Sequence, residues 1–245
     1  MVDPDGPLNL FALLLLSMGL ALAGAADDLR LASDANLDDT TRMAAFQRLV
    51  NDGSMDINAV VAAAQASEGD ARQRWVAVRA LGEIGGDRCK EVLVGLVADP
   101  MPAMRAAAAG GLGDLGSKDT LPQLTGLLVD PAVIVRAAAA EALGKIGSRD
   151  AVPALIAALE SRDNYHRGSS LWVRRHYVLA LGNIGDKAAV GALLRGLDDG
   201  DPGVAEASIV AFEQIAGFNM KEGRDNREEK EAWRRWAAAQ LRQGG

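Results

Sequence analysis

The chain has 245 residues, of which 49% are hydrophobic and only 4% aromatic, with alanine alone contributing 45. A core of Ala, Leu, Val and Ile with so few rings suits closely packed helices and argues against a β-sandwich, whose strands favour aromatic and β-branched side chains. The balance of 26 basic against 33 acidic residues gives a net charge of −7, which argues against a general nucleic-acid binder. The single cysteine, Cys89, rules out an internal disulfide or a multi-cysteine zinc site.

The first element is an apolar run over residues 8–26, free of charge and nearly long enough to span a bilayer. Ala-x-Ala patterns at Ala21–Ala23 and Ala23–Ala25, followed by Asp27 and Asp28, read as a cleavable export signal. The leading segment, with Asp3 and Asp5, lacks the basic start such a signal normally has. Arg30, Arg42 and Arg48 after the run fit an uncleaved anchor instead. Residues 1–26 are therefore expected to be a signal peptide or a membrane anchor. Export after cleavage (periplasmic or secreted) is the first reading and membrane anchoring the alternative. The membrane would be touched only through this segment, if it stays uncleaved.

Residues 27–217 carry an internal repeat. Leu81-Gly-Glu-Ile-Gly85, Leu112-Gly-Asp-Leu-Gly116, Leu143-Gly-Lys-Ile-Gly147 and Leu181-Gly-Asn-Ile-Gly185 are full copies, with degenerate ones at Leu49 and Phe212. The first residues of successive copies lie 32, 31, 31, 38 and 31 apart. A period in this range means stacked supersecondary units. Each unit reads as two helices. Asp99-Pro100, Asp130-Pro131 and Asp201-Pro202 are expected to place an N-cap acceptor before a proline at the first helical position. Gly85, Gly116, Gly147 and Gly185 are expected to end the second helices. Gly82, Gly113, Gly144 and Gly182 fall inside a helical pattern, where each costs about 1 kcal/mol relative to alanine. Close helix–helix approach explains that repeated cost, with Ala77, Ala108 and Ala139 expected to serve the same need.

The pattern Val-Arg-x-x-Ala-x-x-Ala-Leu-Gly-x-Ile-Gly, after a Val-Pro-x-Leu helix, resembles HEAT repeats, most of all the short class named after phycobilisome lyases. The resemblance spans roughly residues 37–217 and implies an all-α solenoid, HEAT/armadillo-like, of five to six helical hairpins. It also implies a function in protein binding. Arg42, Arg74, Arg105, Arg136 and Arg174 each precede a repeat's anchor residue by seven positions and form a ladder. In proteins of this kind such an arginine joins an aspartate near the start of the same helix, here Asp99 or Asp130, so the ladder is expected to be structural. The di-iron hydroxylases among HEAT-repeat proteins use repeated His-Glu pairs, and this chain contains no His-Glu dipeptide. No phosphate-binding loop, serine elbow or Cys–His pair is present either. No cofactor, metal or catalytic residue is assigned. Cys89, with no histidine near it in sequence, reads as a small buried thiol.

The 38-residue interval holds seven extra residues between the two helices of the fourth full copy, around 161–170. Tyr165, His166, Trp172, His176 and Tyr177 fall here, with Arg162, Arg167, Arg174 and Arg175 against one acid, Asp163. Insertions into solenoid repeats often lie on a binding face, and Tyr, Trp and Arg dominate interface hot spots. Tyr165, His166, Arg167, Trp172 and Arg175 are the candidate partner-binding residues, for a protein partner with an acidic surface. Trp172 and Tyr177 are open to a packing role as well. Residues 218–245 then form a polar linker and a last helix, whose Trp233 and Trp236 share one face and are expected to cap the array. The function expected is a non-catalytic repeat scaffold, exported or membrane-tethered. The alternative is an accessory factor or subunit of an enzyme of the phycobilisome-lyase-like kind.

Overall fold

The computed structural model describes residues 24–52 and 56–243. The export or anchor segment therefore lies almost wholly outside the described residues; Ala25 and Ala26 open the first described helix. The chain divides into two compact units, one ending at Ile84 and one starting at Gly85. Among the described residues helix is nearly the only regular structure, as expected for an all-α solenoid.

The first unit contains α1 (Ala25–Ser33), α2 (Asp39–Asp52), α3 (Ile57–Gln65) and α4 (Ala71–Ile84). α1 packs on the other three and α4 on the other three, around Leu29, Ala45, Leu49, Val60, Ala77 and Leu81. Asp28 is buried and held by Arg48, whose Nε and Nη2 lie 2.9 and 2.7 Å from its carboxylate. Arg79 lies over the rings of Phe46 and Trp75.

The second unit contains α5 (Asp87–Leu96), α6 (Pro102–Leu115), α7 (Leu121–Leu127), α8 (Val133–Ile146), α9 (Val152–Glu160), α10 (Val173–Ile184), α11 (Val190–Gly196), α12 (Pro202–Ala216) and α13 (Asn226–Gln243). These are four hairpins and a final helix. Within each hairpin the short first helix packs on the second, and the second helices pack in sequence, α6 on α8, α8 on α10 and α10 on α12. The helical glycines explain this layer. A Cβ on Gly113 would lie 2.6 Å from Ala142 Cα, and one on Gly182 would lie 2.7 Å from Ala211 Cα. Only a hydrogen fits at those crossings. The alanines that meet these glycines are thus Ala142 and Ala211, with Ala180 opposite Gly144. Ala108 on α6 and Ala139 on α8, and Ala77 on α4 of the first unit, are fully buried too. Gly116, Gly147, Gly185 and Gly217 each end a second helix with φ between 66° and 78°.

Two expected helix starts are corrected. Asp201 does cap α12, accepting from Gly203 N–H with Pro202 at the first position. Helices α6 and α8 instead begin after Met101 and Ala132, two residues beyond Asp99 and Asp130. The reason is a local turn: the Asp99 and Asp130 carboxylates accept the N–H of Met101 and Ala132 at 2.9 and 2.8 Å. That bond closes an Asx turn before the helix rather than the helix itself. The residue equivalent to Asp99 and Asp130 in the last hairpin is Asp199, which accepts from Asp201 N–H at 2.9 Å.

Helix α13 packs on α11 and α12. Trp233 is fully buried and stacks on Phe212 and Phe218 at 5.5 and 5.8 Å between centroids, while Trp236 meets Phe212 edge-on at 5.8 Å. The four rings close the last hairpin's apolar end. Arg234 on α13 also pairs with Asp198.

Candidate functional site

The connection from first to second helix is five residues long in three hairpins, 97–101, 128–132 and 197–201, but twelve in the fourth, 161–172. The difference, 12 − 5 = 7, is the insertion read from the repeat period. A single 3₁₀ turn over Arg162–Asn164 leads into a two-stranded hairpin, β1 (Tyr165–His166) against β2 (Ser169–Ser170). Arg167 and Gly168 form its tip with φ of 50° and 83°. Two successive positive φ values are what a type I′ turn needs, and its twist matches that of the strands. The base is tied down by Asn164, whose Nδ2 donates to Ala158 O at 2.7 Å and whose carbonyl accepts from Leu171 N–H.

Tyr165, His166, Arg167, Trp172 and Arg175 are all exposed. They lie on the hairpin and the first turns of α10, so the structure brings the five candidate residues onto one connection. Tyr165 lies on the Arg174 guanidinium at 4.3 Å from ring centroid to Cζ, a cation–π contact. Trp172, half exposed, meets His176 edge-on at 5.1 Å, and His176 Nδ1 lies 2.8 Å from Glu141 Oε1 on α8.

In this region one open point is closed and one expectation is corrected. Tyr177 is fully buried and belongs to the packing of α10, in place of the alanine its neighbours carry. Arg174 does not contribute to an exposed basic patch. It is 6% exposed and is held by Asp199, with further bonds from Nε to Leu159 O at 3.1 Å and from Nη1 to Ser170 Oγ at 2.5 Å. Arg162, Arg167 and Arg175 remain as the exposed cations.

The ladder's geometry also differs from the expected pairing. Arg105 donates through Nε and Nη2 to both carboxylate oxygens of Asp130 at 2.7 and 2.8 Å, 25 residues ahead in the next hairpin. To its own hairpin's Asp99 it donates at the main-chain carbonyl, 2.8 Å from Nη1. Arg174 reaches Asp199 by the same 25-residue step. The arginine therefore ties successive hairpins together, instead of joining the side chain of its own turn. An i to i+25 pairing has no local signal, because it spans a whole repeat. In the first unit, Arg42 pairs with Asp39 one turn away, and Arg74 Nε donates to Ala64 O at 2.9 Å.

Burial alone would push the Asp130 carboxyl up, but the Arg105 guanidinium and the Ala132 N–H act against it. Together with the nearby charge of Arg136, they hold Asp130 below the usual carboxylate range. Asp199 is likewise lowered: burial opposes, and bonds from Ser170, Asp201 N–H and Arg174 prevail. Cys89 is buried, and burial pushes its thiol up, against nucleophilic use. Among the described residues, no three His, Cys, Asp or Glu side chains converge as a metal site.

The hairpin separates two clefts. One, of about 750 Å³, is bordered by Tyr165, Ser170 and Arg174 and by the acidic Glu160, Asp198 and Asp201. The other, of about 880 Å³, is bordered by Arg162, Tyr165 and His166 above Arg136, with Asp130 and Asp163 also on its wall.

Stacked helical hairpins, crossing through Gly–Ala contacts and tied by an arginine–aspartate ladder, define an α-solenoid of the short-repeat kind. The HEAT repeats profile matches residues 57–133 and 90–172, and the PBS lyase HEAT-like repeat profile matches 173–199, so the chain is a member of the HEAT-repeat family. No curated protein matches the sequence. Solved structures that resemble it include an engineered protein (21% identity, 80% of this chain and 98% of that one, TM-score 0.47). Another is the complex of CpcE and CpcF of phycocyanin lyase from Nostoc sp. PCC7120 (20% identity, 99% and 97%, TM-score 0.42). A third is human deoxyhypusine hydroxylase in complex with glycerol (21% identity, 88% and 93%, TM-score 0.40).

Proposed function

We propose that this protein is a non-catalytic scaffold that binds a protein partner through the α9–α10 connection. The observation that carries the reading is the seven-residue insertion. Three sister hairpins close their helices with five residues, so helix packing does not require the extra length. The added residues present Tyr165, His166 and Arg167 to solvent beside Trp172 and Arg175. Amphipathic rings held in place by neighbours lose little entropy on binding, which suits them to anchor an interface. The exposed Arg162, Arg167 and Arg175 favour an acidic partner surface and make association sensitive to salt.

The apolar segment at residues 8–26 supports a working site outside the cytoplasm after cleavage, or at a membrane if it is retained. Affinity purification under mild conditions with the full chain and with Tyr165→Ala/Arg167→Ala tests the function. A stoichiometric protein recovered by the first and lost by the second is expected. Recovery of a bound pigment or metal instead, or equal recovery by both chains, overturns the reading. Fractionation with N-terminal sequencing of the mature chain tests the compartment.

A further inference from the structure

The two clefts beside the hairpin occupy the same place in successive repeats. Helices α7, α9 and α11 are equivalent, and their first residues, Leu121, Val152 and Val190, lie 31 and 38 apart. By those steps Val129 corresponds to Glu160, and Ala157 to Arg195. In the 750 Å³ cleft, Glu160 and Arg195 form an ion pair that ties α9 to α11. Asp198 on the same wall is held by Arg234, and Asp199 by Arg174. Those charges are answered within the chain. In the 880 Å³ cleft the corresponding residues are Val129 and Ala157, which can form no such bridge.

That second cleft stays open, and its wall is apolar. Val129 is 80% exposed. The equivalent residues of the sister connections are Ala98 and Asp198. Ala154 and Ala157 of α9 join Val129 on the wall, and Tyr165 borders it from the insertion. The polar groups beneath are engaged: Arg136 donates to the Asp130 and Pro131 carbonyls, and Asp130 holds Arg105. Uncompensated charge is found at the rim. Arg162 lines the cleft and Arg167 forms the hairpin tip; both are exposed, and neither enters an ion pair among the described residues. Asp163 is the one acid beside them, on a chain whose net charge is −7.

We propose that this cleft receives a leucine- or isoleucine-like side chain of the protein partner, flanked in the partner's own chain by carboxylates that reach Arg162 and Arg167. The inference rests on the protein-binding reading above and names the chemistry of the partner segment. An aliphatic side chain set between Val129, Ala154 and Ala157 removes apolar surface from water on both sides, which supplies affinity. The flanking carboxylates stay at the wet rim, where they add orientation and a salt-sensitive attraction. The combination selects an acidic, leucine-bearing segment over a neutral apolar one.

The probe is the peptide acetyl-Gly-Glu-Leu-Glu-Gly-amide, titrated into full chain carrying ¹³C-labelled Val and Ala methyl groups. The Val129 and Ala157 signals are expected to shift saturably, and that of Ala98, at an equivalent turn, to stay in place. Replacing the peptide's Leu by Gly should weaken binding about ten- to a hundredfold, the scale of one buried aliphatic side chain. Replacing both Glu by Gln should weaken it about three- to tenfold, and added salt should act in the same direction. Val129→Glu/Ala157→Arg installs the sister cleft's ion pair at two exposed positions. It should hold the melting temperature and abolish the peptide shift, read at Ala154, together with partner capture. Val129→Ser, which adds no charge, should weaken the peptide about tenfold. Absence of the Val129 and Ala157 shifts, equal affinity for the Leu and Gly peptides or for the Glu and Gln peptides, or undiminished binding by Val129→Ser each overturns the proposal. Concentration-dependent dimerisation that Val129→Ser abolishes gives the cleft to a second copy and overturns it too. Any of these, with partner capture still lost in Tyr165→Ala/Arg167→Ala, leaves the hairpin reading standing. A peptide shift and partner capture that both persist in that variant support the cleft and overturn the hairpin reading instead.

Discussion

Replacing Arg105 by alanine isolates what one full rung of the ladder contributes. The side chain forms a two-point ion pair with Asp130, at 2.7 and 2.8 Å, and a bond to Asp99 O at 2.8 Å. Its side chain and that of Asp130 are only 13% and 7% exposed. Removing the arginine leaves the Asp130 carboxylate buried with the Ala132 N–H as its remaining donor. Breaking a buried pair from one side costs about 3–5 kcal/mol, and the partial access of solvent to Arg105 lowers that to roughly 2–4 kcal/mol here. Arg136→Ala removes bonds to the main-chain carbonyls of Asp130 and Pro131 but no ion pair with a carboxylate. Its cost should be about 1–1.5 kcal/mol, that of a hydrogen bond alone. Urea unfolding followed by circular dichroism measures both. An Arg105→Ala loss no larger than that of Arg136→Ala would refute the argument that the carboxylate makes the rung.

Acid stability should follow from the same pairs: Asp130 and Asp199 have folded-state pKa values held below their unfolded ones, so their contribution is complete above the unfolded value, near pH 4, and fades as pH falls through the lower folded value. In Arg105→Ala, burial is left to push Asp130 upward, and a stability-versus-pH series should show the acid-side loss beginning at higher pH than in wild type. Gly182→Ala places a Cβ 2.7 Å from Ala211 Cα and against Gln214 Oε1; overpacking of this kind should cost about 1–3 kcal/mol, read from the urea midpoint. Truncation before Asn226 bares Phe212, fully buried in the intact chain, and should promote aggregation, read by light scattering. Removing residues 163–169 restores the sister connections' length of five and should leave the helical circular-dichroism signal in place while binding is lost.

The period of the repeat and its glycine punctuation made most of the fold readable, because both arise from short-range requirements. A helix ends at a left-handed glycine, and a crossing at Gly113 admits no side chain. The cap at Trp233 was readable for the same kind of reason, since an i, i+3 pair of rings on a final helix has a single face. What the sequence hid were the pairings that span a repeat. Arg105 and Asp130 are 25 residues apart, and nothing near either predicts the other. The start of α8 at Val133 was hidden by Asp130, whose carboxylate closes a turn before the helix. The insertion was visible as a count, and its exposed residues as a composition. The burial of Arg174 and Tyr177 was not visible, because it depends on Asp199 and on the neighbouring second helices.

The central claim is that the α9–α10 connection holds a protein partner. With that partner purified, its dissociation constant for wild type and for the chain lacking residues 163–169 should be compared by calorimetry at two salt concentrations. The account predicts binding at least about a hundredfold weaker in the deletion, consistent with the loss of two hot-spot side chains of about 2 kcal/mol each, and wild-type binding that weakens as salt rises. Equal affinity for both chains, with the deletion fully folded, would contradict it.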